Sequence, residues 1–142
     1  MPESITKSSC GYISGQVKTT ITKPDLDNIY FGVCKIANSF DRLKGKLVSR
    51  PPNPKIKNIA NDLNVCKGLV RQMYLRFGLM PPRYIIYIDA DSSKEFMQKL
   101  NFVISETIFR CAAVCNCDNL KKFTDFSLII MILADLSKNL AL

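Results

Sequence analysis

The apolar residues of this chain recur at steps of three and four over four long segments, which prolines and polar runs separate. An α-helix of 3.6 residues per turn places such residues along one face, whereas a half-buried strand needs strict alternation. The spacing therefore predicts a mostly α-helical fold, a compact bundle of about four helices with at most one short strand pair. We expect residues 1–20 to form a flexible N-terminal arm and residues 21–142 to form a single helical domain.

Capping residues and prolines mark the ends of the first two helices. The first is predicted to begin near Thr22, a suitable N-cap, and to stop at the Arg-Pro-Pro run of residues 50–52, because proline cannot donate to the helical ladder. The second is predicted over residues 54–77. Asn53 followed by Pro54 is typical of a helix start, and Gly78 occupies the position of a left-handed C-terminal residue.

The second half of the chain predicts two more helices. Ser92 and Glu95 form a capping box for a third helix that ends around residues 116–119, and Thr124 or Asp125 caps a last helix reaching about residue 140. The last helix is apolar nearly all round, so we expect it to be the central and most buried element. Residues 83–89 are β-branched and aromatic, which predicts either a short strand paired with the arm near residues 12–21 or an extended connector laid across the helices.

The positive charge is confined to one part of the chain. Residues 41–83 contain ten basic and two acidic residues, so this stretch carries the entire net charge of +8. A solvated surface usually mixes both signs, and such an excess favours an anionic partner such as nucleic acid or an acidic protein face. Spacing places cations and amides opposite the apolar stripe of the second helix, and asparagines as well as cations can contact phosphates. The predicted nucleic-acid-binding residues are Arg42, Lys46, Arg50, Lys55, Lys57, Asn61, Asn64, Lys67 and Arg71.

Histidine is absent, which removes the usual general base near neutral pH and the commonest metal ligand. The chain also lacks a glycine-rich phosphate loop, so we expect no enzyme and no cofactor. Two weak candidates for metal binding remain. Cys111, Cys115 and Cys117 could begin a zinc site but lack a fourth ligand, and Asp89 with Asp91 could hold a divalent cation for phosphoryl transfer. Packing of the cysteines and turn or cap formation by the aspartates are the simpler interpretations.

The N-terminal residues lack the pattern of a signal peptide, and the longest apolar run is too short for a membrane span. We therefore expect an intracellular protein, in cytoplasm or nucleus, with no transmembrane segment and with its six cysteines reduced.

Three functions fit these observations. The first is a non-enzymatic basic helical domain that engages an anionic macromolecule, preferentially nucleic acid, through residues 42–83. The second is a protein-interaction or self-assembly module whose basic face serves solubility or meets an acidic protein, with a homo-oligomer as one outcome. The third is a metal-dependent phosphoryl-transfer enzyme that uses Asp89 and Asp91.

Overall fold

The structure is a computed structural model, and it describes residues 21–46, 54–83, 86–115 and 125–140. Four helices make up most of these residues: α1 (Lys23–Lys46), α2 (Pro54–Arg76), α3 (Ser93–Cys115) and α4 (Asp125–Leu140). The predicted mostly α-helical bundle of four helices is confirmed. The predicted arm over residues 1–20 lies outside the described residues. None of the helices in the described part of the chain is long and apolar enough to cross a membrane.

Side-chain caps begin α1 and α3. At the start of α1, the Asp25 carboxylate accepts from both the backbone N–H and the hydroxyl of Thr22, each at 2.9 Å. At the start of α3, the Ser92 hydroxyl oxygen accepts from the Glu95 N–H at 3.1 Å, as predicted. The Glu95 carboxylate accepts from the Asp91 N–H at 3.1 Å. These bonds satisfy N–H groups that the first helical turn leaves without partners.

A left-handed glycine ends α2. Gly78 has a φ of 69°, and its N–H donates to the Leu75 carbonyl at 3.0 Å. The next residue, Leu79, donates to the Tyr74 carbonyl at 2.9 Å. This pair of bonds is the Schellman arrangement, which needs a residue that tolerates positive φ. The end of α2 was therefore predictable from the position of Gly78.

The helices stand at the corners of a square. α1 packs against α2 and α3, and α4 packs against the same two helices, so α1 and α4 occupy one diagonal. The start of α1 meets the end of α2 where Tyr74 contacts Asp27, and the end of α2 meets the start of α4 where Arg76 contacts Asp125. Neighbouring helices are therefore antiparallel, and α2 and α3 run in the same direction on the other diagonal.

The connection between α2 and α3 must run the length of the bundle because these two helices are parallel. It crosses the outside of α1, where the Ile88 N–H donates to the Ser39 hydroxyl oxygen at 2.8 Å and Tyr87 lies against Arg42. Residues 86–90 form no strand, and only Ile88 among them is buried. Of the two alternatives, the strand is wrong for these residues and the extended connector is confirmed. Residues 84–85 and the predicted pairing segment over 12–20 lie outside the described residues.

The prediction that the last helix is central is wrong. α4 buries one face, formed by Phe126, Ile129, Leu133 and Leu136, while Met131 is 63% exposed and Leu128 is 38% exposed. A helix at the corner of a square has only two neighbours, so it can bury one side and no more. The apolar residues on the outer side of α4 are therefore left facing solvent.

α1 and α3 approach each other closely at one glycine. A Cβ atom built on Gly32 would stand 2.1 Å from the hydroxyl oxygen of Thr107, far inside van der Waals contact. Thr107 is buried, and its hydroxyl donates to the Val103 carbonyl one turn earlier at 2.8 Å. The absent side chain of Gly32 thus provides the space that Thr107 occupies.

Candidate nucleic-acid interface

The densest run of positive charge lies where α1 ends and α2 begins. Residues 42–57 contain six basic residues and no acidic one. Lys46 is the last residue of α1, and Lys55 is the second residue of α2. Because α1 and α2 are antiparallel, these helix ends lie at the same end of the bundle, which we call the basic end (residues 42–46 and 54–57). Arg50 and the side chains of Lys46, Lys55 and Lys57 lie outside the described part of the structure.

The first turn of α2 differs from those of the other three helices. α1, α3 and α4 each carry an acidic residue in the first turn, namely Asp25, Glu95 and Asp125. α2 carries none, and Lys55 and Lys57 lie there instead. The N-terminus of a helix has a partial positive charge, so cations there are unfavourable, by about 0.3–1 kcal/mol each if they mirror the effect of anions. An anion bound at this end would reverse that effect.

The predicted face of α2 continues from the basic end along the boundary with α1. Asn61, Asn64 and Arg71 are exposed, and Lys67 is half-buried. An Arg71 guanidinium nitrogen donates to the Tyr30 hydroxyl oxygen of α1 at 3.3 Å. The structure thus places Lys67 and Arg71, the two cations of this face whose side chains are described, next to α1.

Burial and charge act in opposite directions on the groups beneath these cations. Burial raises the pKa of Tyr30 and of the Cys34 thiol, and the positive charges of Arg71 and, for Cys34, also of Lys67 partly offset the increase. Both groups are therefore neutral at physiological pH. They leave the charges of Lys67 and Arg71 uncompensated.

On the outer face of α1, sequence reasoning missed three neighbours of the predicted residue Arg42, namely Phe31 and Lys35 on the helix and Tyr87 on the connector that crosses it. Phe31 and Tyr87 are each 41% exposed. The Lys35 ammonium lies 5.4 Å from the centroid of the Phe31 ring, and the Arg42 guanidinium lies 4.6 Å from that of Tyr87. Both distances are typical of cation–π contacts. We call these four residues the aromatic–cation strip.

The spacing of Phe31 and Lys35 along α1, four residues apart and off the apolar stripe, was a usable signal for half of this strip. The pairing of Arg42 with Tyr87 spans 45 positions, and no local pattern reveals it.

The described cations differ in whether they pair with a carboxylate. Among the described residues, no carboxylate lies within 4.0 Å of Lys35, Arg42, Lys67 or Arg71. Four other described cations have carboxylate partners: Lys23 with Asp27, Arg76 with Asp125, Lys99 with Glu95, and Arg110 with Glu106. Lys35, Arg42, Lys67 and Arg71 are thus available to an external anion. Elsewhere in the described residues Arg83, Lys94 and Lys138 also have no carboxylate partner.

The cysteine candidates belong to the core as far as they are described. Cys111 is fully buried and Cys115 is half-buried, while Cys117 lies outside the described residues. Burial raises the pKa of the Cys111 thiol, and it raises the pKa of Cys66 to about 12, helped by the charge of Asp62. A metal ligand must be a thiolate, so these buried thiols are poor ligands. The described cysteines, at positions 34, 66, 111 and 115, are free thiols.

The aspartate candidates lie in the turn before α3. Asp89 and Asp91 are exposed, and the Asp89 backbone carbonyl accepts from the Lys99 ammonium at 2.9 Å. Within the described ranges, no group of three or more acidic or cysteine side chains is close enough together to hold a metal ion. The geometry of this turn is that of a helix start.

Comparison with protein-family models, with curated proteins and with solved structures found no match for this chain.

Proposed function

We propose that this chain is a non-enzymatic, basic helical domain that binds nucleic acid through the basic end and the adjoining face of α2. One observation carries the proposal: the sequence of residues 42–57 holds six cations and no acid, and the described end of α1 and start of α2 within it lie at the same end of the bundle. Two features of the described residues support it. Arg42, Lys67 and Arg71 have no carboxylate partner there, and the exposed amides of Asn61 and Asn64 can donate to phosphates.

The site would hold the phosphate backbone by charge and hydrogen bonding, with no chemical step. Neutralised phosphates release their counterions, so affinity should fall steeply as salt increases. An intracellular location, in cytoplasm or nucleus, is part of the proposal, and the free thiols of the described cysteines support it.

The test is a salt titration of binding to mixed-sequence DNA and RNA, with a charge-reduced variant. We expect Lys55→Gln with Lys57→Gln to lower the slope of log affinity against log salt by about 1.8 for a duplex, if both lysines contact phosphates. A matched control, Lys94→Gln with Lys138→Gln, removes two exposed lysines from α3 and α4 and should leave the slope unchanged.

The thermal stability of the same variants separates loss of binding from loss of fold. Replacing Lys55 and Lys57 removes cations from the positive end of α2, so the variant should unfold at the same temperature or higher. Absence of binding at low salt, or an equal loss in the control variant, would refute the proposal.

A second candidate function, self-assembly, is favoured by the outer faces of α3 and α4. Phe102 on α3 and Met131 on α4 are 65% and 63% exposed, and Phe109 and Leu128 are also exposed. Exposed apolar side chains that form one contiguous patch are typical of an interface, whereas isolated ones are ordinary on a free surface. Light scattering tests this candidate. Met131→Lys and Phe102→Lys should convert an oligomer into a monomer, whereas Val65→Lys on α2 should not, and a monomeric parent protein would exclude it.

A further inference from the structure

Phosphate binding alone does not explain the two aromatic rings of the aromatic–cation strip. Phosphates need only cations and donors, yet two exposed aromatic rings, Phe31 on α1 and Tyr87 on the connector, each lie against a cation. Exposed rings beside cations are what proteins use to stack unpaired bases while they hold the backbone. The bases of a duplex are already stacked on one another and cannot reach such rings.

We propose that the ligand is single-stranded nucleic acid, whose bases stack at Phe31 and on the Arg42–Tyr87 pair while its backbone passes Lys35 between them. This inference rests on the proposed function and deepens it by naming the class of nucleic acid. Arg42 is central to it, since its guanidinium lies over one aromatic ring and has a second face that a base can cover.

The dimensions of α1 suit such a strand. Phe31 and Arg42 are eleven residues apart, which corresponds to about 16 Å along the helix axis. A single strand of a few nucleotides spans that distance, so two bases of one strand can reach both stacking positions. Lys35 lies between them, next to Phe31, where a phosphate of the same strand would pass.

The second stacking position is held in place before any ligand arrives. Ile88, the residue after Tyr87, is buried and its N–H donates to the Ser39 hydroxyl oxygen at 2.8 Å. This bond fixes the connector against α1, and with it the Tyr87 ring beside Arg42. A site that is already ordered loses less entropy on binding than a flexible one.

The experiment measures fluorescence anisotropy of the full chain with three labelled probes of one mixed sequence of about 20 nucleotides: single-stranded RNA, single-stranded DNA and the DNA duplex. Heparin, which carries negative charge without bases, is the competitor. The variants are Tyr87→Leu, Phe31→Leu, Tyr87→Phe and, as a matched control, Phe102→Leu on α3. Circular dichroism melting confirms that each variant is folded.

We expect single strands to bind more tightly than the duplex. Because each stacked base contributes roughly 5- to 150-fold to affinity, Tyr87→Leu and Phe31→Leu should each weaken single-strand binding at least about fivefold. Their affinities for the duplex and for heparin should stay unchanged. Tyr87→Phe retains the ring and should bind normally, as should Phe102→Leu. If Tyr87→Leu weakens binding of single-stranded RNA and of single-stranded DNA, both results support the proposal. The ratio of the two affinities in the parent protein then identifies the preferred type of strand.

Two results would overturn the inference while leaving the proposed function intact. The first is equal binding of single strand and duplex with both leucine variants behaving as the parent protein. The second is an equal loss of affinity for single strand, duplex and heparin in Tyr87→Leu. That result would indicate that Tyr87 acts by positioning the cations and not by stacking on a base. Absence of all nucleic-acid binding at low salt would refute both proposals together.

Discussion

The close approach of α1 and α3 at Gly32 makes a sharp prediction about stability. Alanine at this position places a Cβ atom 2.1 Å from the Thr107 hydroxyl oxygen and 3.2 Å from its Cβ, so the two helices must separate or Thr107 must rotate. Thr107 is buried and β-branched, and rotation breaks its bond to the Val103 carbonyl. We therefore expect Gly32→Ala to be destabilising despite the higher helix propensity of alanine.

The magnitude follows from two opposing effects. Overpacking a well-filled core costs about 1–3 kcal/mol, while replacing a mid-helix glycine by alanine gains up to about 1 kcal/mol. The net expectation for Gly32→Ala is a loss of about 1–2 kcal/mol in the free energy of unfolding, since a contact of 2.1 Å falls at the severe end of overpacking.

Gly68 provides the matched control. It is also in a helix, α2, but it is exposed and a Cβ atom there would meet nothing within 4 Å. Gly68→Ala should therefore show the propensity gain alone, a stabilisation of about 0.5–1 kcal/mol. Urea denaturation of both variants measures the difference, which should be about 1.5–3 kcal/mol.

A double-mutant cycle separates the clash from any other effect of Gly32→Ala. Thr107→Ala removes the hydroxyl and methyl groups that the new Cβ atom meets, so the double variant should recover about 1–3 kcal/mol relative to additivity. If Gly32→Ala instead stabilises the protein as much as Gly68→Ala does, the close packing of α1 on α3 is refuted.

Two further predictions concern single hydrogen bonds. Burial raises the pKa of Asp27, but hydrogen bonds from Tyr74 and Lys23 and the Lys23 charge lower it below the ordinary 3.8. The bond from Tyr74 to the ionised Asp27 thus stabilises the fold above about pH 4, and this stabilisation is lost as pH falls through the folded-state pKa of Asp27. The destabilisation caused by Tyr74→Phe should therefore be smaller in acid. A difference in urea midpoints between the two proteins that does not change with pH would contradict this. Ser39→Ala leaves the buried N–H of Ile88 unpaired and should cost about 1–3 kcal/mol, whereas Ser39→Thr, which keeps a hydroxyl, should cost less; equal losses in thermal melts would argue against the bond.

Local chemistry made much of the fold predictable. The ends of α2 follow from Pro54 and Gly78, and the starts of α1 and α3 follow from side chains that cap the first turn. Each of these effects acts within four or five residues, so the sequence alone contains the information. The connection of residues 86–90 shows the limit: its β-branched and aromatic residues favour extended backbone equally well in a strand and in a connector.

Features that depend on how the helices pack against one another could not be predicted from the sequence. The composition of α4 shows how many apolar residues it has but not how many helices pack against it. Met131 is exposed because only α2 and α3 pack against α4. The candidate site divides in the same way. The exposed amides and Arg71 of α2 were predictable from helical spacing, whereas the contact of Arg42 with Tyr87 depends on the path of the connector across α1.

That path also makes the bundle an assembly of two halves. α1 with α2 and α3 with α4 are each an antiparallel hairpin, and the core forms only when the hairpins meet across α1–α3 and α2–α4. Residues 77–92 form the backbone connection between the two hairpins, so exchange of the α3–α4 hairpin between two molecules would preserve the same helix contacts. The exchange would release the connector from Ser39 and carry Tyr87 away from Arg42, so subunit exchange and the shape of the α1 surface would be linked.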